Sequence, residues 1–192
     1  MADSTLVKTA QVSAIVAAAA ASGGIISISI FTIPSLLLKR APSANTRTAT
    51  TLAAPISHIA RQWQYAYDIG KKLFPSMAVT SSLLYSFAAY TLGKERGATC
   101  RQVSLLYTAA GLNIMIAPFT LLAIVAVNNV IAPYTTGKHD LPVDAKEDAQ
   151  YEQTEKEFVG QLEKWSLLNV IRGLFPLAGA GLGAAVTFGL LS

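Results

Sequence analysis

"QVSLLYTAAGLNIMIAPFTLLAIVAVNNVIAPYTTG", residues 102–137, contains no Asp, Glu, Lys, Arg or His. At ~1.5 Å per residue such a run is long enough to cross a ~30 Å hydrocarbon layer as a helix. Three more uncharged runs, Thr9–Leu38, Leu73–Gly93 and Gly173–Ser192, are each 20 residues or longer. The chain therefore reads as all-α, a membrane-embedded four-helix bundle forming one domain over residues 1–192. Its spans are expected near 11–33, 73–93, 104–131 and 167–190. Composition agrees, because charged residues make up 14% where a soluble domain carries roughly 25%.

Residues 17–21 are all alanine and resemble a signal-peptide cleavage region. The uncharged run continues past them to Leu38, which favours a retained span. The single Cys100 forbids an intramolecular disulfide and removes tetraspan classes that depend on cysteine pairs. No basic stripe points to nucleic acid. Lys8, Lys94, Arg96 and Arg101 lie on the side of the termini, against ten Lys and Arg in the long segments 39–72 and 132–166. The positive-inside rule puts those long segments in the cytoplasm.

The long segments differ. Residues 41–55 are rich in Ala, Thr, Ser and Pro and read as a lead-in, followed by an amphipathic helix over about 56–72. At 100° per residue Ile56, Ile59, Ala60, Trp63, Ala66 and Tyr67 share one face, with His58, Arg61, Tyr65 and Asp68 opposite. This helix is expected on the membrane surface or capping the bundle, bending at Gly70 before Pro75. The polar loop 133–164 holds a turn, "KHDLPVDAKED" at 138–148, then a solvated helix leading into the fourth span.

Polar side chains inside spans are costly unless paired. Asn113, Thr120 and Asn128 sit at i, i+7 and i+15 of the third span and form one stripe, interrupted by Pro118. The stripe either bonds helices together or lines a cavity. Arg172 opens the fourth span, with Trp165 and Asn169 on its own face. That group reads either as an interfacial anchor or as part of a site. His58 and His139 lie in polar surroundings. No H-x-x-x-H, E-x-x-H, cysteine pair, phosphate-cradling glycine loop or G-x-S-x-G elbow is present, so no metal ligand set is assigned.

Four stretches together resemble the fungal anthrone oxygenase family: "GGIISISIFTIPSLLL" (23–38), "QWQYAYDIGKKLFP" (62–75), "APFTLLAIVAVNN" (117–129) and "KWSLLNVIRGLFPLAGAGLG" (164–183). The resemblance covers most of the chain and fails in 41–55 and 133–160. It implies an enzyme of polyketide secondary metabolism that oxidises an anthrone-type polycyclic phenol to its quinone with molecular oxygen. It further implies no organic cofactor, and a location in the bilayer, with endoplasmic reticulum expected. An anthrone methylene, once deprotonated, yields an electron-rich carbanion that can reduce oxygen. The protein must then supply a base, donors for the anionic oxygen and a flat apolar slot. Trp63, Tyr67 and Trp165 are the expected stacking residues, with Asn113 and Thr120 also lining the substrate pocket. Arg172 with Asn128 or Asn169 is the expected oxyanion holder. His58 is the first candidate base and Asp68 the second, although His58 faces away from Trp63 on the helix. The competing readings are a non-catalytic tetraspan scaffold or small transporter, and a metal-dependent oxygenase using His58 and His139.

Overall fold

The computed structural model describes residues 4–40, 52–94, 99–140 and 149–191. Most of the expected lead-in, four residues of the turn at 94–103 and most of the turn at 138–148 lie outside them. Four helical columns run back and forth. The first joins α1 (Ser4–Ser27), a π-helical turn (Ile28–Thr32) and α2 (Ile33–Leu36). The second is α3 (Ile56–Leu92). The third joins α4 (Cys100–Ile114), α5 (Ile116–Phe119), a second π-helical turn (Thr120–Ile124), α6 (Val125–Ile131) and a 3₁₀ turn (Ala132–Thr136). The fourth is α7 (Ala149–Thr187). No named strand is found among the described residues, and the fold is an all-α bundle.

Columns one and three each pack on both α3 and α7, so α3 and α7 face each other across the bundle diagonal. The direction of travel makes those two helices parallel. Three helical stretches, Thr5–Leu36, Cys100–Thr136 and Ala149–Thr187, are long and apolar enough to cross a membrane. α3 is not among them. Ser76, Thr80, Ser81, Ser82 and Ser86 thin its hydrophobicity in the half expected to span.

The amphipathic segment is present, but as the first half of α3 rather than a separate helix folded over the bundle mouth. Its faces fall as the periodicity requires: Ile56, Ile59, Ala60 and Trp63 are buried, and His58, Arg61 and Tyr65 are exposed. The buried face packs into the bundle core with Ile124, Val127, Ile131, Phe158, Leu162 and Trp165. The helix passes through Gly70 and Pro75 without ending. Gly70 serves close packing instead of a bend, since a Cβ there would lie 3.0 Å from the Phe74 ring. A Cβ on Gly24 of α1 would lie 2.3 Å from the other edge of the same ring. Pro75 lacks the N–H that would reach the Lys71 carbonyl, and helical neighbours carry the turn onward.

Helix starts have local causes. Thr99 and Gln102 form a reciprocal capping box that begins α4. α3 begins after Pro55, which has no side chain to cap it. Its Ser57 backbone N–H donates instead to Asp140 Oδ1 at 2.9 Å. Arg61 Nε donates to the Thr135 carbonyl at 3.0 Å, fixing the 3₁₀ turn against the same helix.

The two ends of the bundle are built from different side chains. One holds Trp63, Trp165, Phe158 and several Ile and Leu residues. The other is dominated by Ala14, Ala88, Ala89, Ala109 and Ala110 around Tyr85. There α7 presents Gly179 and Gly183, which let neighbours approach its backbone. A Cβ on Gly183 would lie 2.3 Å from Tyr85 Oη, whereas one on Gly181 meets nothing within 4 Å. Gly183→Ala is therefore expected to cost about 1–3 kcal/mol of stability, as overpacking does. Gly181→Ala should be neutral or slightly stabilising through helix propensity. Thermal unfolding of both variants in detergent checks the contrast, and equal melting temperatures would refute the packing argument.

Candidate functional site

Trp165, Arg172 and Gly179 of α7 recur at seven-residue spacing, and each meets one member of the third-column stripe. Trp165 Nε1 donates to Asn128 Oδ1 at 2.8 Å. Arg172 Nη1 donates to Thr120 Oγ1 at 3.2 Å. Gly179 lies against Asn113, whose Nδ2 would be 2.6 Å from a Cβ there. Two antiparallel helices with matching repeats thus align over three levels. Within the stripe of Asn113, Thr120 and Asn128, Thr120 and Asn128 hydrogen-bond across to α7, whereas Asn113 only packs against it.

Only part of it belongs to a common polar centre. Asn113 is fully buried, donates to the Ala109 carbonyl of its own helix at 2.8 Å and sits in the alanine-rich half. Thr120 and Asn128 lie at the aromatic end. There Asn169 Nδ2 donates to the Ile25 carbonyl at 2.8 Å and to Ser29 Oγ at 3.0 Å. Its Oδ1 accepts a short hydrogen bond from Arg172 Nη2. Thr120 accepts from Arg172 while donating to the Ile116 carbonyl at 2.6 Å. The Asn169–Arg172 pair is therefore held from one side by column one and from the other by column three.

Both holding residues lie in π-helical turns. Ser29 belongs to Ile28–Thr32, and Thr120 opens Thr120–Ile124. Single π turns inserted in α-helices recur at functional sites, because the extra residue re-aims side chains and leaves carbonyls to be satisfied elsewhere. Pro34 and Pro118 each lie within two residues of one of these turns. Each removes a backbone donor and loosens the local ladder.

Trp63 and Tyr67 of α3 complete the centre from across the diagonal. Their rings are stacked, 5.8 Å apart and 7° from parallel. Trp63 meets Trp165 edge-on, 5.9 Å apart at 87°. Trp63 and Trp165 are each 1% exposed, whereas Tyr67 is half-buried. Arg172 is 5% exposed, and its Nε, like Trp63 Nε1, is buried with no acceptor. No carboxylate is ion-paired to Arg172 among the described residues. The centre thus holds one cation, two unused donors and three aromatic rings.

Both candidate bases stand apart from it. His58 is exposed on the outer face of α3. Asp68 points outward, bonded to Lys71 Nζ at 2.5 Å and Gln64 Nε2 at 3.1 Å. The Lys71 hydrogen bond, followed by that of Gln64, holds its carboxyl below the usual range, which weakens it as a proton acceptor. His139 is also exposed, its ring 4.7 Å from Tyr134. No three His, Cys, Asp or Glu side chains come together as a possible metal site among the described residues.

Sequence reasoning missed Ser29 and the Ile25 carbonyl. Ser29, one of three serines in "GGIISISIFTIPSLLL", carried no signal beyond a polar atom in an uncharged run. Only its partner, 140 residues away, gives it meaning.

Comparison with known sequences identifies the family. The sequence profile of the anthrone oxygenase family matches residues 63–182. An anthrone oxygenase of Paecilomyces divaricatus, AgnL2, is 33% identical over 178 residues, 92% of this chain and 93% of its own length. Anthrone oxygenase tpcL of Aspergillus fumigatus is 30% identical over 173 residues, covering 90% of this chain and 89% of that one. Monooxygenase hypC of Dothistroma septosporum is 28% identical over 171 residues, 89% and 78% of the two chains. No solved structure matches. The chain belongs to the anthrone oxygenase family and is an enzyme of the oxygenase type.

Proposed function

We propose that this protein is a membrane-bound oxygenase that converts an anthrone-type polycyclic phenol to its quinone with molecular oxygen, without an organic cofactor. The step belongs to fungal polyketide secondary metabolism, and the anthraquinone is its product. Relatives named anthrone oxygenase support the reaction class. The observation that carries the reading is Arg172, a buried guanidinium with a free Nε and no paired carboxylate among the described residues. A buried cation is costly without an anion, so an anionic ligand stabilises it while being stabilised in return. An anthrone deprotonated at its methylene is such a ligand, with its charge delocalised onto the carbonyl oxygen.

The chemistry balances as anthrone plus O2 giving anthraquinone plus water. A methylene C–H bond breaks and the proton leaves. The carbanion passes one electron to oxygen, and the resulting radical pair combines as a peroxide. Loss of the second C–H proton with O–O cleavage then forms the new carbonyl and releases water. Arg172 holds the anionic oxygen, with Asn169 and Thr120 setting the guanidinium plane. Trp63 Nε1 offers a second donor, and the Trp63, Tyr67 and Trp165 rings supply an aromatic wall. Asn128 orients Trp165 through its hydrogen bond. Three helical columns long and apolar enough to cross a membrane support residence in the bilayer, where such substrates partition. Endoplasmic reticulum is the proposed membrane.

Purified protein in detergent should turn an emodin-type anthrone into quinone with oxygen uptake above that of boiled protein. No excess rate across several anthrones would sink the assignment. Arg172→Met should remain folded and lose about 10²-fold or more in kcat, the usual cost of removing one oxyanion donor. A variant that loses activity only in proportion to its folded fraction would instead favour a purely structural Arg172. Residence in the bilayer has its own check. The full chain should stay in the membrane pellet after high-salt and alkaline carbonate washes, and release into the supernatant would refute integral insertion.

A further inference from the structure

We propose that Trp63 sets substrate specificity: its indole N–H donates to a phenolic oxygen on an outer ring of the polycycle, remote from the oxygen that Arg172 holds. The inference rests on the anthrone-oxidising reading above and goes beyond it by fixing which substrates the site accepts. It starts from a contrast between two indoles. Trp63 and Trp165 are each 1% exposed and meet edge-on. Trp165 Nε1 donates to Asn128 Oδ1 at 2.8 Å. Trp63 Nε1 is buried with no acceptor among the described residues. A buried donor in that position has lost its water and gained no partner, which folded proteins avoid at nearly every buried polar group.

The surroundings hold the Trp63 ring in place. Tyr67 stacks on it at 7° from parallel, and Trp165 meets it at 87°. The cluster around it is largely Ile, Val and Leu, whose side chains accept no hydrogen bond. The second unused donor lies further along the bundle. Arg172 is two turns beyond Trp165 on α7, and its bond to Asn169, three residues back, folds the guanidinium toward the tryptophans. Trp63 Nε1 and Arg172 Nε are thus separated by about one helical turn, ~5 Å along the bundle axis.

Fused aromatic rings keep their oxygens at fixed separations, so two donors placed apart select by position. A hydroxyl adjacent to the carbonyl stays at the Arg172 end. A hydroxyl on an outer ring, remote from the carbonyl, reaches the Trp63 end. A site built to bond such a hydroxyl rejects the analogue lacking it, because its own buried donor is then left unpaired. Trp63 is accordingly a specificity residue, and the electron transfer to oxygen does not pass through it.

Two anthrones test this, one with an outer-ring hydroxyl remote from the carbonyl and one without it. Wild-type kcat/KM should favour the hydroxylated substrate by about 10²-fold or more. Trp63→Phe, and naphthylalanine incorporated at position 63, keep an aromatic ring and remove the N–H. Both should lower that preference by about tenfold or more, through loss on the hydroxylated substrate. Intrinsic reactivity cancels, because the same pair is compared in each protein. A purely structural Trp63 would slow both substrates alike, and an unchanged ratio would overturn the proposal. A second readout needs no turnover. Ultraviolet resonance Raman separates bonded from free indole N–H groups, and the chain has two tryptophans. Ligand-free protein should show one of each, and an anthraquinone bearing the same outer-ring hydroxyl should convert the free one to bonded. Two bonded indoles without ligand would mean that water already serves Trp63, and the assignment would fail. Wild-type protein that oxidises no anthrone would instead overturn the oxygenase reading beneath it.

Discussion

A guanidinium buried in an apolar bundle constrains everything around it. Arg172 is 5% exposed on a helix whose neighbours are mostly Leu, Gly and Ala, and desolvating such a cation costs several kilocalories per mole unless its protons find acceptors. Neutral groups supply the two acceptors observed: the Asn169 amide oxygen on its own helix and the Thr120 hydroxyl on the third column. Asn169 in turn needs Ile25 and Ser29 of the first column to satisfy its amide protons. One charge therefore ties three columns into register. The uncompensated part of that charge is left for a ligand.

The π-helical turns arise from the same requirement. Regular α-helices in columns one and three would place side chains at fixed angles. The extra residue in each turn rotates the adjoining helix and re-aims Ser29 and Thr120. Proline nearby makes the deviation cheaper, because Pro34 and Pro118 have already removed one ladder hydrogen bond each. The polar centre and the backbone irregularities are thus two sides of a single arrangement. Outside it the helices need no such adjustment. Ser22 and Ser81 simply donate across to the carbonyls of Gly173 and Ala14, at 2.8 and 2.9 Å.

Side-chain size separates the two halves of the bundle. Where Ala and Gly meet, helices approach until backbone nearly touches side chain, as Gly179 does against Asn113 and Gly183 against Tyr85. Where Trp63, Trp165, Phe158 and Tyr134 cluster, donors such as Trp63 Nε1 and Arg172 Nε lie without acceptors. The proposed chemistry is assigned to the second half for that reason. Asn113, fully buried among small residues, belongs to the first and serves packing there.

Much of this architecture was legible in the residues alone. Uncharged run length identifies the apolar columns, period 3.6 separates the Ile56–Trp63 face from the His58–Tyr65 face, and seven-residue spacing groups Trp165 with Arg172. These are local properties, set by backbone geometry over one or two helical turns. Gly70 and Pro75 misled because each has two physical uses. Glycine permits a bend or a close contact, and the Phe74 ring filling the space beside Gly70 decides between them. The position of His58 was equally nonlocal. Its place on the face opposite Trp63 was legible, and helix packing left that face exposed. Sequence determined which side chains share a helical face. Only the tertiary structure decided which faces meet, because hydrogen bonds such as Asn169 to Ser29 and Trp165 to Asn128 join columns far apart in the chain.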